Sequence, residues 1–578
     1  MNEFFKRMAL SMVIAFGLMF IWQKLFPPPP RVVEKQEVPA EIAAVESSTA
    51  AEEAAVELGE EEFKTFDFEK VAITFSTYGG KIVSYKLKEA KFENREVNQP
   101  EELVRGEKNP GLFELDYPDS SFNLPEKTEW KIDEVKDKEI RFTWENENLK
   151  IIKFYKLIPE NYSIELWVDT SIKTKRGRQT LELKLSSFEK ISDGSGGGIL
   201  SPRVDRTWKG ACLVDKDLKE RSSKELIDEG PLNHGGKIAW GGFLHPYFLL
   251  AMAPKSNDGR RIGCKVIQQN NNDGSMVASL IFPEVSLEPN VPATEKVLLY
   301  LGPKYTDSLA RVDEMGDHSK LVKAVDFGWF GMIAGPLLAL LKWIYSFVGN
   351  WGVAIIILTF IVKAVTLPWV HKSMKSMQAM AKLRPEMDKI KEKYKDDPKR
   401  QQMETMNLMK THNVSFLSGC LPMVLQMPIW FAFYRTLMVA TELYQADFLW
   451  LKDLTLPDPY FALPIAVTLV MFIQTRLSPQ TGTGMQQKMM TIGMPIMFGV
   501  FSFFFPSGLA LYMFVNTSLT AVHHLFMHKD KRAEARKAKL DALTEKANKE
   551  QKISETISLE NKKNEPKNKK GKRKNKKK

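Results

Sequence analysis

A lysine lies inside a segment that is otherwise apolar enough to cross a membrane. Residues 351–370 read WGVAIIILTFIVKAVTLPWV, and Lys363 stands well inside this run. A lysine at the centre of a bilayer costs at least about 2.5–3.5 kcal/mol, so such residues usually face a protein interior or a water-filled cavity. Thr359 and Thr366 lie four residues before and three residues after it, on one helix face. The segment therefore predicts a polar stripe that carries one cation and faces something other than lipid.

Other polar residues in apolar runs are candidates to line the same cavity, namely Gln426, Asn516 and Thr517. Side chains of this kind commonly form hydrogen bonds between membrane helices, so a purely structural role stays open for each of them. Lys363 differs, because no Asp or Glu lies deep in the other apolar runs to neutralise it. We therefore expect water to solvate the amine, and we predict a hydrophilic groove.

Motifs for nucleotide or covalent chemistry are absent from the sequence. It contains no GxxxxGK[ST] loop, no HExxH, no CxxC and no nucleophile elbow. His523, His524 and His528 cluster near the end of the last apolar run, and we interpret them as interfacial residues rather than metal ligands. We expect no catalytic residue, no cofactor and no metal site. The alternative of a membrane-anchored carbohydrate enzyme has only His234 and His245 as plausible bases.

Six apolar runs are close to the length that a membrane-spanning helix needs. The first follows Lys6 and Arg7 and shows no convincing cleavage site, so residues 1–26 are interpreted as a retained signal anchor. The others predict an α-helical core of five spans within residues 349–528. The six runs cover residues 8–26, 351–370, 416–441, 460–475, 489–505 and 508–527.

Residues 327–348 form a further apolar run, which Pro336 and Lys342 interrupt. If this run also crossed the membrane, the basic loop 371–415 would lie outside, against the rule that short basic loops stay cytoplasmic. We therefore predict an amphipathic helix in the outer interface. Both chain termini are then expected in the cytoplasm.

Between the anchor and the core, the pattern is that of a soluble domain. Residues 27–62 are rich in Pro, Ala and Glu and predict a disordered linker. Residues 63–320 contain short alternating runs such as EIRFTWENENLKIIKFYKL, which predict an all-β sandwich of antiparallel strands. Cys212 and Cys264 fall in this domain outside the cytoplasm, where a disulfide between them is one option that the sequence leaves open.

Two basic segments are expected on the cytoplasmic side. In the first, loop 371–415, Asp396-Asp397-Pro398 separates two helices and predicts a helical hairpin. Its methionines either pack the two helices together or form an adaptable surface for apolar clients. They are Met377, Met380, Met387, Met403 and Met406. The second segment, the tail 529–578, accounts for the net charge of +11. It either binds ribosomal RNA or anionic lipid, or is only a solvated tail.

Five strings resemble the YidC/Oxa/Albino family of membrane-protein insertases. The resemblance covers about residues 325–528, and the order of the parts is similar to the Gram-negative form of the family. It implies a mutarotase-like β-supersandwich in the periplasm and five core helices around a hydrophilic groove. The strings are LLKWIYSFVGNWGVAIIILTFIVKAVTLP (340–368), GCLPMVLQMPIWFAFY (419–434), DPYFALPI (458–465), MQQKMM (485–490) and FFPSGLALY (504–512).

The resemblance implies an insertase and chaperone of the inner membrane that works without nucleotide hydrolysis. The implied partners are nascent membrane proteins, the Sec translocon, the ribosome through the basic tail, and anionic lipids. The protein is expected to function as a monomer. The family usually carries Arg where this chain has Lys363, and Arg435 stands where an uncharged or aromatic residue is expected.

If the chain is an insertase, an apolar client helix is expected to slide along the third and fifth core helices into lipid. The alternative is a secondary transporter or channel with Lys363 in the solute path. Transporters usually have inverted repeats and paired intramembrane charges, and the sequence has neither. The predicted client path consists of Met427, Pro428, Phe431, Ile496, Phe501, Tyr512 and Met513.

Overall fold

The computed structural model describes most of the chain from residue 59 to residue 563. The predicted signal anchor, most of the linker and the end of the basic tail lie outside the described residues. The described ranges are 59–95, 99–105, 111–125, 127–189, 206–255, 260–269, 274–315, 319–412, 421–478 and 487–563.

The first half of the described chain is an all-β sandwich, as predicted. Strands pair antiparallel in a ten-stranded and a nine-stranded sheet, with a small two-stranded sheet beside them. The strands are β1 Phe63–Asp67, β2 Val71–Ser76, β3 Lys81–Leu87, β4 Glu93–Asn94, β5 Gln99–Glu102, β6 Leu112–Asp116, β7 Lys131–Lys136, β8 Glu139–Glu145, β9 Leu149–Ile158, β10 Ser163–Ile172, β11 Gly177–Gln179, β12 Glu182–Phe188, β13 Lys209–Val214, β14 Asp217–Ser222, β15 Leu232–Gly236, β16 Ile238–Leu244, β17 Phe248–Pro254, β18 Ile262–Gln268, β19 Ser275–Ile281, β20 Val285–Leu287 and β21 Ala293–Pro303.

The sheet order brings distant strands together. The larger sheet runs β1-β2-β3-β6-β12-β19-β18-β15, with β4 and β5 attached to β3, and the other runs β14-β13-β16-β17-β21-β10-β9-β8-β7. Strand β9 illustrates the period of two, because its odd-numbered residues from Leu149 to Leu157, including Lys153, are buried while the even-numbered residues are more exposed. The inward faces of the sheets form one hydrophobic core.

A disulfide joins the two large sheets. Cys212 on β13 is bonded to Cys264 on β18, with their Cα atoms 6.1 Å apart. Both sulfurs lie inside the core of the sandwich. The structure thus settles the pairing that the sequence leaves open.

The second half of the described chain is helical. Two short helices, α1 and α2, belong to the β domain, and a π-helical turn, Met489–Gly493, precedes α8. The helices are α1 Ser223–Asp228, α2 Thr306–Met315, α3 Gly331–Val348, α4 Trp351–Lys393, α5 Pro398–Thr411, α6 Leu421–Val439, α7 Ala462–Leu477, α8 Met494–Ser502 and α9 Ser507–Lys563.

Within the described residues, two helical segments are long and apolar enough to cross a membrane, Gly328–Val348 and Trp351–Lys393. Two shorter apolar helices cover Ala462–Leu477 and Met489–Ser502. The count of six spans therefore stays a prediction, as does the interfacial placement of α3. Helix α3 buries Leu338 and Leu341 on one face and exposes Trp343 and Phe347 on the other, an amphipathic pattern.

Helix α4 continues without a break from the apolar segment into the first helix of the predicted hairpin, over 43 residues. It begins at Asn350, whose side chain accepts a hydrogen bond from the backbone N–H of Val353 at 3.1 Å. After α4 ends, Asp397 caps α5 by accepting from the N–H of Arg400 at 3.1 Å. The Asp-Asp-Pro sequence thus forms the turn of the hairpin, where the sequence places the break.

Candidate functional site

The Lys363 side chain of α4 is held by the last helix, α9. Its amine donates hydrogen bonds to Asn516 Oδ1 at 3.3 Å and to Thr520 Oγ1 at 2.6 Å. Asn516 and Thr520 are four residues apart, so both acceptors project from one face of α9. We call Lys363, Asn516 and Thr520 the lysine site.

The lysine site is polar but contains no acid. Within the described residues, Lys363 forms no ion pair with a carboxylate, and both of its hydrogen-bond partners are neutral. Its side chain is partly exposed rather than sealed in the interior. An amine with two neutral acceptors keeps its charge unneutralised and available to an anion.

The two threonines of the predicted stripe bond within their own helix. Thr359 is only 1% exposed, and its hydroxyl donates to Ile355 O at 2.7 Å. Thr366 is also buried and donates to Val362 O at 2.9 Å. The Thr366 hydroxyl also lies 3.2 Å from the Lys363 backbone oxygen. Both hydroxyl protons are therefore used within α4, and neither hydroxyl accepts a hydrogen bond from the Lys363 amine as that of Thr520 does.

Gln426 and Thr517 lie on the helices next to the lysine site. Gln426 of α6 donates a short hydrogen bond to the hydroxyl of Tyr512 on α9. Thr517 follows Asn516 on α9 and is partly buried. The polar residues predicted from sequence therefore form two separate groups, one around Lys363 and one that links α6 to α9.

A pair of histidines lies beside the lysine site, on the side away from the β domain. His371 Nδ1 of α4 is 3.4 Å from His523 Nε2 of α9, a distance that allows a hydrogen bond. Sequence reasoning interpreted His523 as interfacial and did not consider His371. A signal was available, because His371 follows Lys363 by eight residues and His523 follows Asn516 by seven, spacings that keep a helix face.

The predicted client path divides into exposed and buried residues. Met427 of α6 is 44% exposed and Phe501 of α8 is 43% exposed, while Ile496 is also exposed. Pro428 and Phe431 are partly buried, and the ring of Phe431 stacks on Phe330 with centroids 5.4 Å apart. The exposed side chains on α6 and α8 can form one continuous apolar surface only if both helices face lipid.

Tyr512 and Met513 are not on that surface. Both are buried in the helical core, where Tyr512 packs on Phe433 with ring centroids 4.9 Å apart. The reason is that α9 turns this face toward α6, so that the Tyr512 hydroxyl can meet Gln426. These two residues therefore support the wall of the site instead of lining a path along it.

The methionines of the hairpin also take two roles. Met380 and Met387 of α4 are buried in one apolar cluster with Met409 of α5. Met377 is partly buried. Met403 and Met406 of α5 are exposed, Met403 by 59%. Packing explains the α4 methionines, while the exposed pair remains available to an apolar partner.

The β domain sits directly on the outer loops of the helical part, a contact that the sequence does not indicate. Arg206 donates from Nη2 to Asp453 Oδ2 at 3.1 Å and to Thr455 Oγ1 at 2.7 Å. Tyr444 inserts its ring beside Tyr247, 4.8 Å between centroids, and beside Phe248 at 5.4 Å. These contacts fix the segment between α6 and α7 against the sandwich.

Arg435 belongs to the same outer region. Its Nε donates to the backbone oxygen of Asp326 at 3.2 Å, and Nη2 lies 3.7 Å from the Asp326 carboxylate. The side chain thereby ties α6 to the segment that enters α3. This contact gives a role to an arginine at a position where the resemblance leads one to expect an uncharged or aromatic residue.

The histidines of the β domain do not form an open catalytic site. His245 is buried, with Nδ1 accepting from the N–H of Tyr247 at 3.2 Å, and burial holds its pKa well below the usual value. His234 lies on β15 in the other sheet, and burial also lowers its pKa. The two are therefore on separate elements, and His245 already has a partner at its accepting nitrogen.

Comparisons with known proteins agree with the resemblance in the sequence. Residues 65–340 match the family described as YidC periplasmic domain, and residues 343–535 match the 60Kd inner membrane protein family. A Geotalea daltonii protein named membrane protein insertase YidC is 31% identical over 543 residues, which covers 91% of this chain and 99% of the relative.

Similar folds are found among solved structures. An active YidC insertase with its first transmembrane domain resolved is 18% identical, with a TM-score of 0.34, over 80% of this chain and 94% of that one. A galactose mutarotase related enzyme from Lactobacillus acidophilus is 10% identical, with a TM-score of 0.30, over 42% of this chain and 97% of that one. Because both TM-scores are low, the family assignment rests on the sequence matches.

Proposed function

The chain belongs to the YidC family of membrane protein insertases, and from this premise we propose that the lysine site drives the insertion of client proteins. The prediction of an insertase rather than an enzyme is confirmed by this membership. The alternative of a secondary transporter or channel is not favoured. The family also places the protein in the inner membrane with a periplasmic domain.

One observation carries the proposed mechanism: a partly exposed amine, shared between α4 and α9, has only neutral partners among the described residues. A polar client flank that crosses pure lipid must shed its hydration, at a cost of several kcal/mol for each unpaired polar group. A polar cavity halfway across the membrane shortens the apolar layer to be crossed. Lys363 adds attraction for acidic client residues, so their carboxylates need not pass through lipid unpaired.

The apolar part of the client follows a different route in this proposal. Met427, Ile496 and Phe501 are exposed, and Pro428 and Phe431 lie between them and the core, so they can guide a client helix sideways into lipid. Transfer of the helix from water is favourable by roughly 25 cal/mol per Å² of apolar surface buried. This term supplies a driving force without nucleotide hydrolysis. Tyr512 and Met513 stabilise the wall behind this path.

Earlier and later steps are assigned to the remaining parts of the chain. The exposed Met403 and Met406 of the hairpin receive the apolar segment of a nascent membrane protein first. The basic tail 529–578 binds ribosomal RNA or anionic lipid through release of counterions. The protein acts as a monomer, alone or beside the Sec translocon. Both termini lie in the cytoplasm, with six spans in total.

Substitution of Lys363 tests the role of the amine. In proteoliposomes, Lys363→Arg should insert a two-helix client with an acidic outer loop at close to the normal rate, because the charge is kept. Lys363→Ala should slow this client roughly three- to tenfold, and Lys363→Glu should slow it further by repulsion. Protection of the acidic loop from external protease measures insertion.

The matched control is the same client with Asn and Gln in place of its loop acids, which the three variants should insert at similar rates. Normal insertion of the acidic client by Lys363→Ala would show that the amine is irrelevant to insertion. Solute flux through the same proteoliposomes, if it appeared and depended on Lys363, would instead support a transporter.

A further inference from the structure

Three bases line one side of the contact between α4 and α9. Lys363 and His371 come from α4, eight residues or about 12 Å apart along the helix. His523 of α9 lies within hydrogen-bond distance of His371, at 3.4 Å between Nδ1 and Nε2, and close enough to Lys363 for their charges to interact. On α9, Asn516, Thr520 and His523 succeed one another at steps of four and three residues, which is one helix face.

No acid balances these bases within the part of the chain that the structure describes. The charged or titratable groups that act on His523 are His371 and Lys363, both of them bases. His524 neighbours it on α9, and the buried residues Val370, Met374 and Met527 of the same two helices form a small apolar cluster. A row of bases without a counter-charge in apolar surroundings favours an anion from outside the chain.

His523 carries a second sign of a missing partner. Its Nδ1 atom is buried and forms no hydrogen bond with any described residue. If His371 donates its Nδ1 proton to His523 Nε2, then His523 carries its own proton on Nδ1, and this buried donor needs an acceptor. A carboxylate oxygen would satisfy it.

We propose that His371 and His523 form a second anion site, which binds the carboxylates of a client's acidic flank before they reach Lys363. The inference rests on the proposed insertase mechanism and adds a first binding step at the cytoplasmic end of the groove. A carboxylate bound by the imidazole pair then moves about one helical turn along α9, from His523 to Thr520, where the lysine amine lies. No bond is made or broken in this transfer.

The continuity of the row favours a client carboxylate over a lipid phosphate. A phospholipid headgroup stays at one depth in the membrane, so it would explain the histidine pair but not its alignment with Thr520, Asn516 and Lys363 on the same helix contact. A client flank passes through every depth in turn.

The test compares His371→Gln and His523→Gln with the wild type in full-length protein in proteoliposomes. Two clients are used that differ only in Asp and Glu versus Asn and Gln on the translocated flank. Wild-type protein should insert the acidic client faster than the neutral one, because the imidazole N–H groups donate to its carboxylates. Each variant should slow the acidic client roughly three- to tenfold and leave the neutral client unchanged.

His234→Gln, on the β domain and outside the groove, is the matched control and should behave as the wild type. Equal slowing of both clients by the groove variants would overturn the proposal in favour of a structural role. Slowing that depends on the fraction of anionic lipid, and not on the client's charge, would assign the pair to lipid phosphate. If Lys363→Ala slows the acidic client but the histidine variants do not, only this inference fails; if neither slows it, the proposed mechanism fails as well.

Discussion

At the scale of single residues, the lysine at position 363 is explained by its partners. Arginine would present a planar fork that suits a bidentate acceptor, whereas lysine is a compact charge with three rotatable donors. Asn516 and Thr520 supply two single acceptors on adjacent turns of α9. Lysine can satisfy both and still direct a third N–H toward solvent or a client. A lysine therefore suits this pair of acceptors and still presents a positive charge.

Thr520 should be a positioning residue for this amine. In Thr520→Val the shorter of the two hydrogen bonds is lost, and Lys363 becomes free to adopt other rotamers. We expect insertion of an acidic client to fall about two- to fivefold, in line with the loss of one charge-assisted hydrogen bond. Insertion kinetics in proteoliposomes measure the effect.

Ser518→Ala is the matched control, because the Ser518 hydroxyl donates to Phe514 O within the same helix and does not contact the lysine. A conservative Thr520→Ser variant should restore the rate. If Thr520→Val and Ser518→Ala slow insertion equally, then α9 packing and not amine positioning is the cause.

The β domain contains a buried lysine that should shape its response to pH. Lys153 on β9 donates from Nζ to the backbone oxygens of Gly79 at 2.7 Å and Phe113 at 2.9 Å. Burial lowers its pKa from about 10.5 to about 7. Below pH 7 the amine is protonated in both the folded and unfolded states. Above pH 7 the folded state loses the proton while the unfolded state keeps it, so stability rises with pH up to about 10.5.

We therefore expect the free energy of unfolding of the β domain to gain up to about 1.4 kcal/mol per pH unit from Lys153 in this window. Lys153→Met should remove that slope and also leave the carbonyl oxygens without their donor. Lys156→Met, on the exposed face of the same strand, is the control and should keep the slope. Chemical denaturation at pH 6, 7, 8 and 9 measures how the free energy of unfolding changes with pH. Parallel pH profiles for wild type and Lys153→Met would contradict the assignment.

The sequence predicted the central residues of the site but not how they pair. A lone cation in an apolar run is visible in the sequence, because its cost in lipid needs no partner to be identified. The choice of Asn516 and Thr520, rather than Thr359, as its neighbours depends on the rotation of α9 against α4. Helix periodicity gives the face within one helix, but not which face of another helix it meets. The contact between His371 and His523 was not predicted, for the same reason.

At the scale of elements, period-two alternation identified the sandwich because strands such as β9 have one buried and one more exposed face, although β17 is buried on both. The order of the strands could not be predicted from the sequence, because β10 pairs with β21, which lies more than a hundred residues further along the chain. Among the helices, the hairpin was predicted with its turn in place. The unbroken continuation of α4 through Pro368 and Pro385 was not, because proline usually ends a helix.

The disulfide between β13 and β18 is the element-scale feature with the largest expected effect on stability. It closes a loop of 52 residues in sequence and links the two sheets. Replacing both cysteines in Cys212→Ala/Cys264→Ala should lower the free energy of unfolding of the β domain by about 2–5 kcal/mol. Denaturant titrations without reductant compare the variant with the wild type.

Adding reductant to the unfolding titration should bring the wild type to the variant's midpoint and leave the variant unchanged. Cys420 remains in the variant as an internal thiol control. Equal midpoints for oxidised wild type and variant would mean that sheet packing alone holds the two layers together.

At the scale of the whole molecule, the β domain and the helical part form one connected body on the outer side. Val439 and Tyr444 from the helical half belong to the hydrophobic core of the sandwich. Polar contacts reinforce this packing: Arg95 donates to the backbone oxygens of Lys452 at 2.6 Å and Gln445 at 3.0 Å. Close to the same loop, the ring of Phe448 packs against Gly352 of α4, where a Cβ would lie 2.1 Å from the ring.

The consequence is that the outer end of α4 is held by the β domain through the loop that follows α6. Lys363 lies about three turns further along the same helix. The lysine site and the histidine pair lie toward the other end of the helix. The β domain should therefore contribute to insertion by stabilising the outer loop, without contacting the client.

Arg206→Ala tests this coupling. Asp453 is buried, and losing its charged partner should destabilise the docking of the outer loop by about 2–5 kcal/mol. Hydrogen exchange should then increase across residues 440–458, while the strands of the sandwich stay protected. We expect slower insertion of acidic and neutral clients alike, because the loop supports the groove and does not interact with the charges of the client.

Arg176→Ala is the control. It removes an exposed ion pair with Glu288 and should change neither hydrogen exchange nor insertion, because such pairs contribute little to stability. Faster exchange in the loop with unchanged insertion would separate docking from function and assign the β domain a role of its own.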